Sequence, residues 1–270
     1  MIETVRAYFG FSRVPFGREL APSMLHRHGP QQEAIVRVAF TIADRGLGIL
    51  TGEVGAGKTV AVRAAVADLD RSRHTVIYLP NPSIGQTGIY AAIVGALGAV
   101  PRYRKAELIA QAMNLLAAEE QERGRLSVLI VDEAHLLGAT ELEELRLLTN
   151  AEMDSHSPFA AILIGQPTLR RQIRLGQFAA LDQRITMRYH LEGMNLEQST
   201  GYITHHLAMA GRSDTLFSDD AIALIHQNAR GLPRAINNHA RTALTAAYAA
   251  KANIVDAAAA RRAIKEINDD

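Results

Sequence analysis

The chain has 270 residues, of which 48% are hydrophobic and 21% charged, enough for one large domain or a large domain with a small one. The absence of cysteine excludes disulfides and cysteine metal sites, and the net charge of +1 excludes a strongly basic field. Any binding of nucleic acid must therefore come from local patches. No window reaches the roughly 18 to 20 apolar residues of a membrane span, and no export signal opens the chain. We expect a cytoplasmic protein without membrane insertion.

The predicted elements begin after an irregular opening that contains Phe9, Phe11 and Phe16. Apolar residues at helical spacing predict a helix from Pro30, with Gly46 as its left-handed cap. A later helix, at 141–152, is expected to open with a capping box of Thr140 and Glu143. Strands are predicted at 47–51, 74–79, 127–132, 159–165 and 185–191.

This alternation of strands and helices predicts the fold class. Continuous apolar strands separated by helices indicate a parallel five-stranded sheet with helices on both faces. From residue 195 onward the pattern is helical only, which indicates a small all-helical lid domain. We expect a linker segment at 1–29, an α/β domain at 30–194 and the lid at 195–270.

A glycine-rich turn joins the first predicted strand to the next helix in the stretch LGILTGEVGAGKT. It matches G-x-x-x-x-G-K-[ST] in the strand–turn–helix context that a phosphate-binding loop requires. Backbone N–H groups of such a loop point at phosphate oxygens, Lys58 reaches the β and γ phosphates of ATP, and the Thr59 hydroxyl binds Mg²⁺. The predicted phosphate-loop residues are Gly52, Glu53, Val54, Gly55, Ala56, Gly57, Lys58, Thr59 and Val60.

The second motif of the site is a pair of acidic residues at the end of the apolar strand VLIVDE. Asp132 is expected to hold Mg²⁺ through water, and Glu133 to polarise the attacking water as general base. Because the base follows the metal residue directly, hydrolysis is favoured over transfer to a small-molecule hydroxyl. The letters DEAH also spell a helicase box, but a second lobe is missing from the pattern. For His135, a helix-start position and a coupling role both remain open.

Three further residues are candidates for completing the site. Arg234 follows Pro233 in GLPRAIN, which places it in the first turn of a lid helix. Arg184 and Arg188 lie where the fifth strand begins, and either could serve a neighbouring subunit or make a surface ion pair. Gln166 ends the fourth strand, where it could orient water or simply precede a turn.

With these motifs in order, the chain resembles the P-loop AAA+ ATPases. Within them it resembles the ExeA-like group, which is related to the transposition helper ATPases (IstB-, TniB- and MuB-like). The opening FGFSRVPFG and the motifs LTGEVGAGKT, LIVDEAH, LIGQPTLR, LDQRI and GLPRAIN carry the resemblance across nearly the whole chain. It implies that Gln166 is sensor 1, Arg184 the arginine finger and Arg234 sensor 2. Gln166 departs from the Asn, Thr or Ser usual at that position.

The resemblance implies two alternative roles. Transposition helpers assemble with ATP as rings or helical filaments on double-stranded DNA and recruit or stimulate a transposase. ExeA-like secretion proteins carry a membrane span and a peptidoglycan-binding module after the ATPase, and because the chain ends at Asp270 without them we expect the helper role. The alternatives are an ATPase of secretion or envelope assembly, and a nucleotide-gated adaptor with little ATPase activity.

Two basic clusters are candidates for contact with DNA phosphates, although such clusters are usually solvated surface. One lies in the stretch PRYRK and the other follows Gln166. Their residues are Arg102, Arg104, Lys105, Arg170, Arg171 and Arg174.

Overall fold

The protein is described by a computed structural model that covers residues 2–17, 21–83, 85, 87–149 and 157–269. Its contacts divide the chain into two compact units. We call residues 31–52 and 58–191 the sheet unit, and residues 1–30, 53–57 and 192–270 the helical unit.

The helices are α1 (Ile2–Tyr8), α2 (Gly29–Ala43), α3 (Lys58–Ala67), α4 (Gly88–Ala96), α5 (Lys105–Gln121), α6 (Ala139–Leu148), α7 (Pro167–Ile173), α8 (Ala179–Arg184), α9 (Leu196–Met209), α10 (Asp219–Ala229), α11 (Pro233–Ala249) and α12 (Ala257–Asp269). The strands are β1 (Leu47–Thr51), β2 (His74–Leu79), β3 (Leu126–Val131), β4 (Phe159–Gly165) and β5 (Ile185–His190). Short 3-10 turns cover Pro22–Met24, Ala134–Leu136 and Gly176–Phe178.

The sheet unit is built on one parallel sheet with the strand order β2-β3-β4-β1-β5. Every residue of β1 and β4 is buried, because these strands lie inside the sheet and helices cover both faces. The edge strands β2 and β5 instead mix buried with exposed residues. The predicted five-stranded parallel sheet with helices on both faces, followed by helices, is confirmed.

The helical unit has its own apolar core, formed by α9 to α12 together with the N-terminal segment. Phe9, Phe11 and Phe16 are all buried in this core. The opening that the sequence predicts as irregular begins with the helix α1. Buried aromatic rings contribute a large apolar area, which explains why the residues around these three rings are held in place. The predicted boundaries of the linker, the α/β domain and the lid stay a prediction.

Two local predictions about helix ends are wrong. Arg45, with φ 54°, is the left-handed residue after α2. A Cβ added to Gly46 would instead displace the Thr186 hydroxyl. The N-cap of α6 is Gly138 with no side-chain cap, so Thr140 and Glu143 form no capping box. The predicted continuation of this helix to residue 152 lies outside the described residues.

None of the described helices combines the length and the apolar character that crossing a membrane requires.

Candidate nucleotide site

The phosphate loop lies between β1 and α3, as the motif predicts. Gly55 and Gly57 have φ values of +82° and +96°, a left-handed backbone that residues with a Cβ rarely adopt. Lys58 starts α3, and its Nζ donates a 2.8 Å hydrogen bond to the carbonyl oxygen of Gly52. The side chain therefore folds back over the loop. The remaining predicted members Glu53, Val54, Ala56, Thr59 and Val60 occupy the same turn and the first turn of α3.

Asp132 follows β3 and is nearly buried beside the start of α3. Its Oδ2 accepts hydrogen bonds from the Thr59 hydroxyl at 2.8 Å and from the Tyr78 hydroxyl at 3.0 Å. Oδ1 accepts from the backbone N–H of Glu133 at 2.9 Å. The structure thus brings together the two residues that the sequence predicts as metal ligands.

Tyr78 is a site residue that the sequence analysis misses. It lies near the carboxyl end of the edge strand β2, which pairs with β3. Partial burial, followed by the charge of Asp132 and the hydrogen bond to it, raises the pKa of Tyr78 to about 12. The phenol is therefore protonated at neutral pH and donates to the carboxylate. The available signal was a tyrosine near the end of a predicted strand, at 74–79.

The chemistry of this donor set fits Mg²⁺. A hydroxyl and a carboxylate are hard oxygen ligands, and Mg²⁺ usually takes one or two protein oxygens together with phosphates and water. In the part of the chain that the structure describes, no group of three His, Cys, Asp or Glu side chains could hold a metal by itself. Thr59 and Asp132 are therefore the residues that would hold Mg²⁺ here.

Glu133, His135 and Gln166 come together at the carboxyl ends of β3 and β4. Glu133 has φ 51°, and such strain in a non-glycine residue is common at functional sites. Its Oε2 lies 3.4 Å from Nδ1 of His135. Nε2 of His135 lies 3.0 Å from the side-chain nitrogen of Gln166, which is the N-cap residue of α7. The candidate base and the candidate sensor therefore both contact one imidazole.

Arg234 lies in the first turn of α11, directly after Pro233. Within the helical unit its backbone N–H donates to the carbonyl oxygen of Gly55 at 3.3 Å. A Cβ added to Gly55 would lie only 2.8 Å from the Cβ of Arg234. The glycine thus allows Arg234 to approach the backbone of residue 55 closely within the helical unit.

The structure does not bring Arg184 to the phosphate loop of its own sheet. It is the last residue of α8, directly before β5, and its guanidinium donates to the Thr149 hydroxyl at 3.1 Å. In a parallel sheet this is the amino end of the strands, whereas the loop leaves the carboxyl end of β1. Arg188 pairs with Asp182 of the same chain at 3.0 Å.

The two basic clusters differ in how free their side chains are. In the first, Lys105 pairs at 2.6 Å with Glu144, while Arg102 and Arg104 are exposed in the loop before α5. Contact of either cluster with DNA stays a prediction. The second cluster is exposed on and just after α7, with Arg170, Arg171 and Arg174.

A comparison with protein families matches residues 42–173 to an AAA domain. General secretion pathway protein A of Aeromonas hydrophila is 34% identical over 245 residues, which make up 90% of this chain and 44% of that protein. The chain thus spans less than half the length of this relative.

Solved structures share the fold at low identity. Cdc6p of Pyrobaculum aerophilum has a TM-score of 0.65 and 18% identity, covering 93% of this chain and 68% of that one. The ORC2 protein of Aeropyrum pernix has the same TM-score and identity, with coverages of 97% and 71%. The RuvB Holliday junction branch migration motor of Thermotoga maritima has a TM-score of 0.58 and 18% identity, covering 89% and 70%. The comparisons show an AAA domain at residues 42–173 and the fold of the P-loop AAA+ ATPases, and together they show an ATPase.

Proposed function

We propose that the chain binds ATP with Mg²⁺ at the phosphate loop and uses its hydrolysis to switch an oligomeric assembly. The observation that carries the proposal is the 2.8 Å hydrogen bond between Thr59 and Asp132, beside a lysine that starts a helix. A helix N-terminus attracts phosphate through its unpaired N–H groups and its dipole. When bound, Mg²⁺ supplies positive charge that offsets the negative charge of the phosphates.

The protein's own groups have separate tasks in this proposal. Lys58 neutralises charge on the β and γ phosphates, and Glu133 takes a proton from the attacking water. The Glu133 side chain is half-exposed, so water can reach it. Arg234, which packs on Gly55, contacts the bound nucleotide and senses its state.

Arg184 acts in this proposal on the site of a neighbouring subunit. Within its own sheet Arg184 lies at the end opposite the phosphate loop. The two ends are separated by about five residues of strand, or roughly 16 Å at about 3.3 Å per residue. An arginine so placed can complete a site only in a partner copy. We therefore propose a homo-oligomer, as a ring or a filament.

For the biological role we propose an ATPase of secretion or envelope assembly. What supports this role is the 34% identity to a protein named for general secretion. The expected role as a helper of a transposase finds no such support in the relatives reported above. A nucleotide-gated adaptor remains the alternative in which turnover needs the partner.

DNA binding is a second candidate, favoured by one specific observation. The loop between α4 and α5 exposes Val100 and Tyr103 almost completely, and it carries Arg102 and Arg104. Gln111 holds this loop, since its amide donates to the Val100 carbonyl and accepts from the Arg102 N–H, both at 3.0 Å. An exposed tyrosine beside arginines suits contact with the phosphates of duplex DNA, since arginine and tyrosine side chains both donate to phosphate oxygens.

The testing experiment is ATP turnover by the purified protein, with and without long duplex DNA, at low and moderate salt. The secretion role predicts turnover that DNA leaves unchanged. Stimulation that fades with salt supports the DNA role, because phosphate contacts release counterions. No turnover under any condition contradicts the proposed hydrolysis and leaves the adaptor.

A matched pair of variants sharpens this test. Arg104 and Arg73 are 81% and 80% exposed, and each has one weak ion pair within its own turn. Arg104→Ala should abolish a stimulation that acts through the loop, whereas Arg73→Ala should keep it. Equal effects of the two substitutions would mean that the stimulation depends on the positive charge of the surface in general and not on the loop.

A further inference from the structure

The turn that follows β3 places His135 between the candidate base and the candidate sensor. Nδ1 of the ring lies 3.4 Å from Oε2 of Glu133, and Nε2 lies 3.0 Å from the Gln166 side-chain nitrogen. The His135 side chain is only 12% exposed, against 52% for Glu133. The ring is therefore largely enclosed by packing, whereas about half of the Glu133 side chain is open to solvent.

A glycine lets this turn approach the neighbouring strand. A Cβ added to Gly165, the last residue of β4, would lie 3.2 Å from the backbone nitrogen of His135 and 2.9 Å from Cδ2 of Leu169. Any side chain here would push the turn away from β4. Ala134, which starts the turn, is fully buried against the sheet. Packing of the turn against β4 therefore sets the position of the ring.

The backbone nitrogen of Gln166 also lies 3.5 Å from Nδ1 of His135, which is the upper limit for a hydrogen bond, whereas the side-chain nitrogen lies 3.0 Å from Nε2. The shorter contact favours one arrangement of protons. When the Gln166 amide donates to Nε2, neutral imidazole carries its proton on Nδ1. That proton then points at the Glu133 carboxylate. A separation of 3.4 Å is long for such a bond, and contacts of this kind often tighten only in the substrate complex. In this arrangement the Gln166 amide donates a hydrogen bond to His135, and His135 donates one to Glu133.

We propose that His135 is a positioning residue that holds the Glu133 carboxylate toward the attacking water and makes this position depend on Gln166. This inference rests on the proposed hydrolysis of ATP with Glu133 as general base. His135 touches neither phosphate nor water in this role. Displacement of Gln166 weakens the orientation of Glu133 and slows turnover without changing how ATP binds.

The test compares two substitutions of His135 that differ in whether they keep the contact with Glu133. His135→Asn keeps a donor near the position of Nδ1 and loses the link to Gln166, whereas His135→Ala loses both. We expect His135→Ala to lower kcat by about 10- to 100-fold with little change in KM, since a well-placed base contributes about 10²- to 10⁴-fold. His135→Asn should recover a large part of that loss.

A second measurement separates positioning from a structural role. Gln166→Ala should slow the wild-type protein but add little in the His135→Ala background, because residues that act as a unit have non-additive effects. Binding of a fluorescent ATP analogue and the thermal midpoint confirm that each variant folds. Wild-type kcat in His135→Ala, or additive losses in the double variant, would overturn the inference and leave the proposed function intact. No turnover in the wild-type protein would overturn both.

Discussion

The hydroxyl of Thr59 donates a 2.8 Å hydrogen bond to Oδ2 of Asp132, across 73 positions of sequence. The strands that precede the two residues, β1 and β3, are not neighbours, because β4 lies between them. The contact therefore depends on the whole sheet, and the carboxyl ends of three strands meet where ligands of open α/β sheets bind.

Glu133→Gln should bind ATP yet hydrolyse it very slowly. The amide keeps the size of the side chain but cannot take a proton from water, so we expect kcat to fall by about 10²- to 10⁴-fold. Lys58→Ala should instead lose nucleotide binding. The measurements are steady-state turnover and titration with a fluorescent ATP analogue, with Glu122→Gln on the exposed surface as control. Normal turnover in Glu133→Gln would remove this residue from the mechanism.

Arg184→Ala and Lys58→Ala protein should each be inactive alone and partly active when mixed. Mixed assemblies pair an intact phosphate loop with an intact arginine of the next subunit, and such an arginine is worth about 10³- to 10⁵-fold in rate. Turnover is measured across mixing ratios. Arg188→Ala in place of Arg184→Ala is the matched control, because Asp182 holds Arg188 within its own subunit. Absence of recovery at every ratio argues against the trans arginine.

Gly55→Ala should destabilise the protein more than Gly57→Ala. Both positions have a left-handed backbone, which costs of order 1–3 kcal/mol for a residue with a Cβ. At Gly57 an added Cβ meets no atom within 4 Å, whereas at Gly55 it meets the Cβ of Arg234 at 2.8 Å. Denaturant unfolding without nucleotide gives the comparison. Equal losses of stability would mean that Arg234 moves away from the added Cβ without a cost in the free energy of unfolding.

The free energy of unfolding should fall as the pH drops below neutrality, in part because of His206. The ring is buried and stacked on Phe16. Burial first, and then nearby cationic groups, lower the pKa of His206 to about 4. Unfolded histidine titrates near about 6.5, so between these values the unfolded state binds more protons and is favoured as the pH falls. We expect His206 to contribute a loss of about 2 kcal/mol between about pH 7.5 and about pH 5.

Urea unfolding of the wild type and of His206→Phe at both pH values checks this prediction. Phenylalanine keeps the stacking and removes a buried ring nitrogen that has no hydrogen-bond partner. The variant should lose less stability on acidification than the wild type. The same slope in both proteins would assign the pH dependence to other groups.

Local chemistry was sufficient to predict the strands and the phosphate loop from the sequence. The observed bounds of β1, β2 and β4 are the predicted ones, because unbroken apolar runs bounded by turn residues are typical of buried parallel strands. The loop motif was recognisable because its glycines, lysine and threonine act through backbone geometry and charge within eight neighbouring residues, 52–59. Asp132 and Glu133 were predictable as the polar end of an apolar strand.

Only the tertiary structure decided which side chains meet. Strand order brings Tyr78 to Asp132, and the close packing that Gly165 permits seats His135 between Glu133 and Gln166. It also pairs Lys105 with Glu144 and places Arg184 at the sheet end opposite the phosphate loop. Sequence periodicity specifies the face of one element, whereas such contacts depend on the order of strands distant in sequence and on which small residues let them approach.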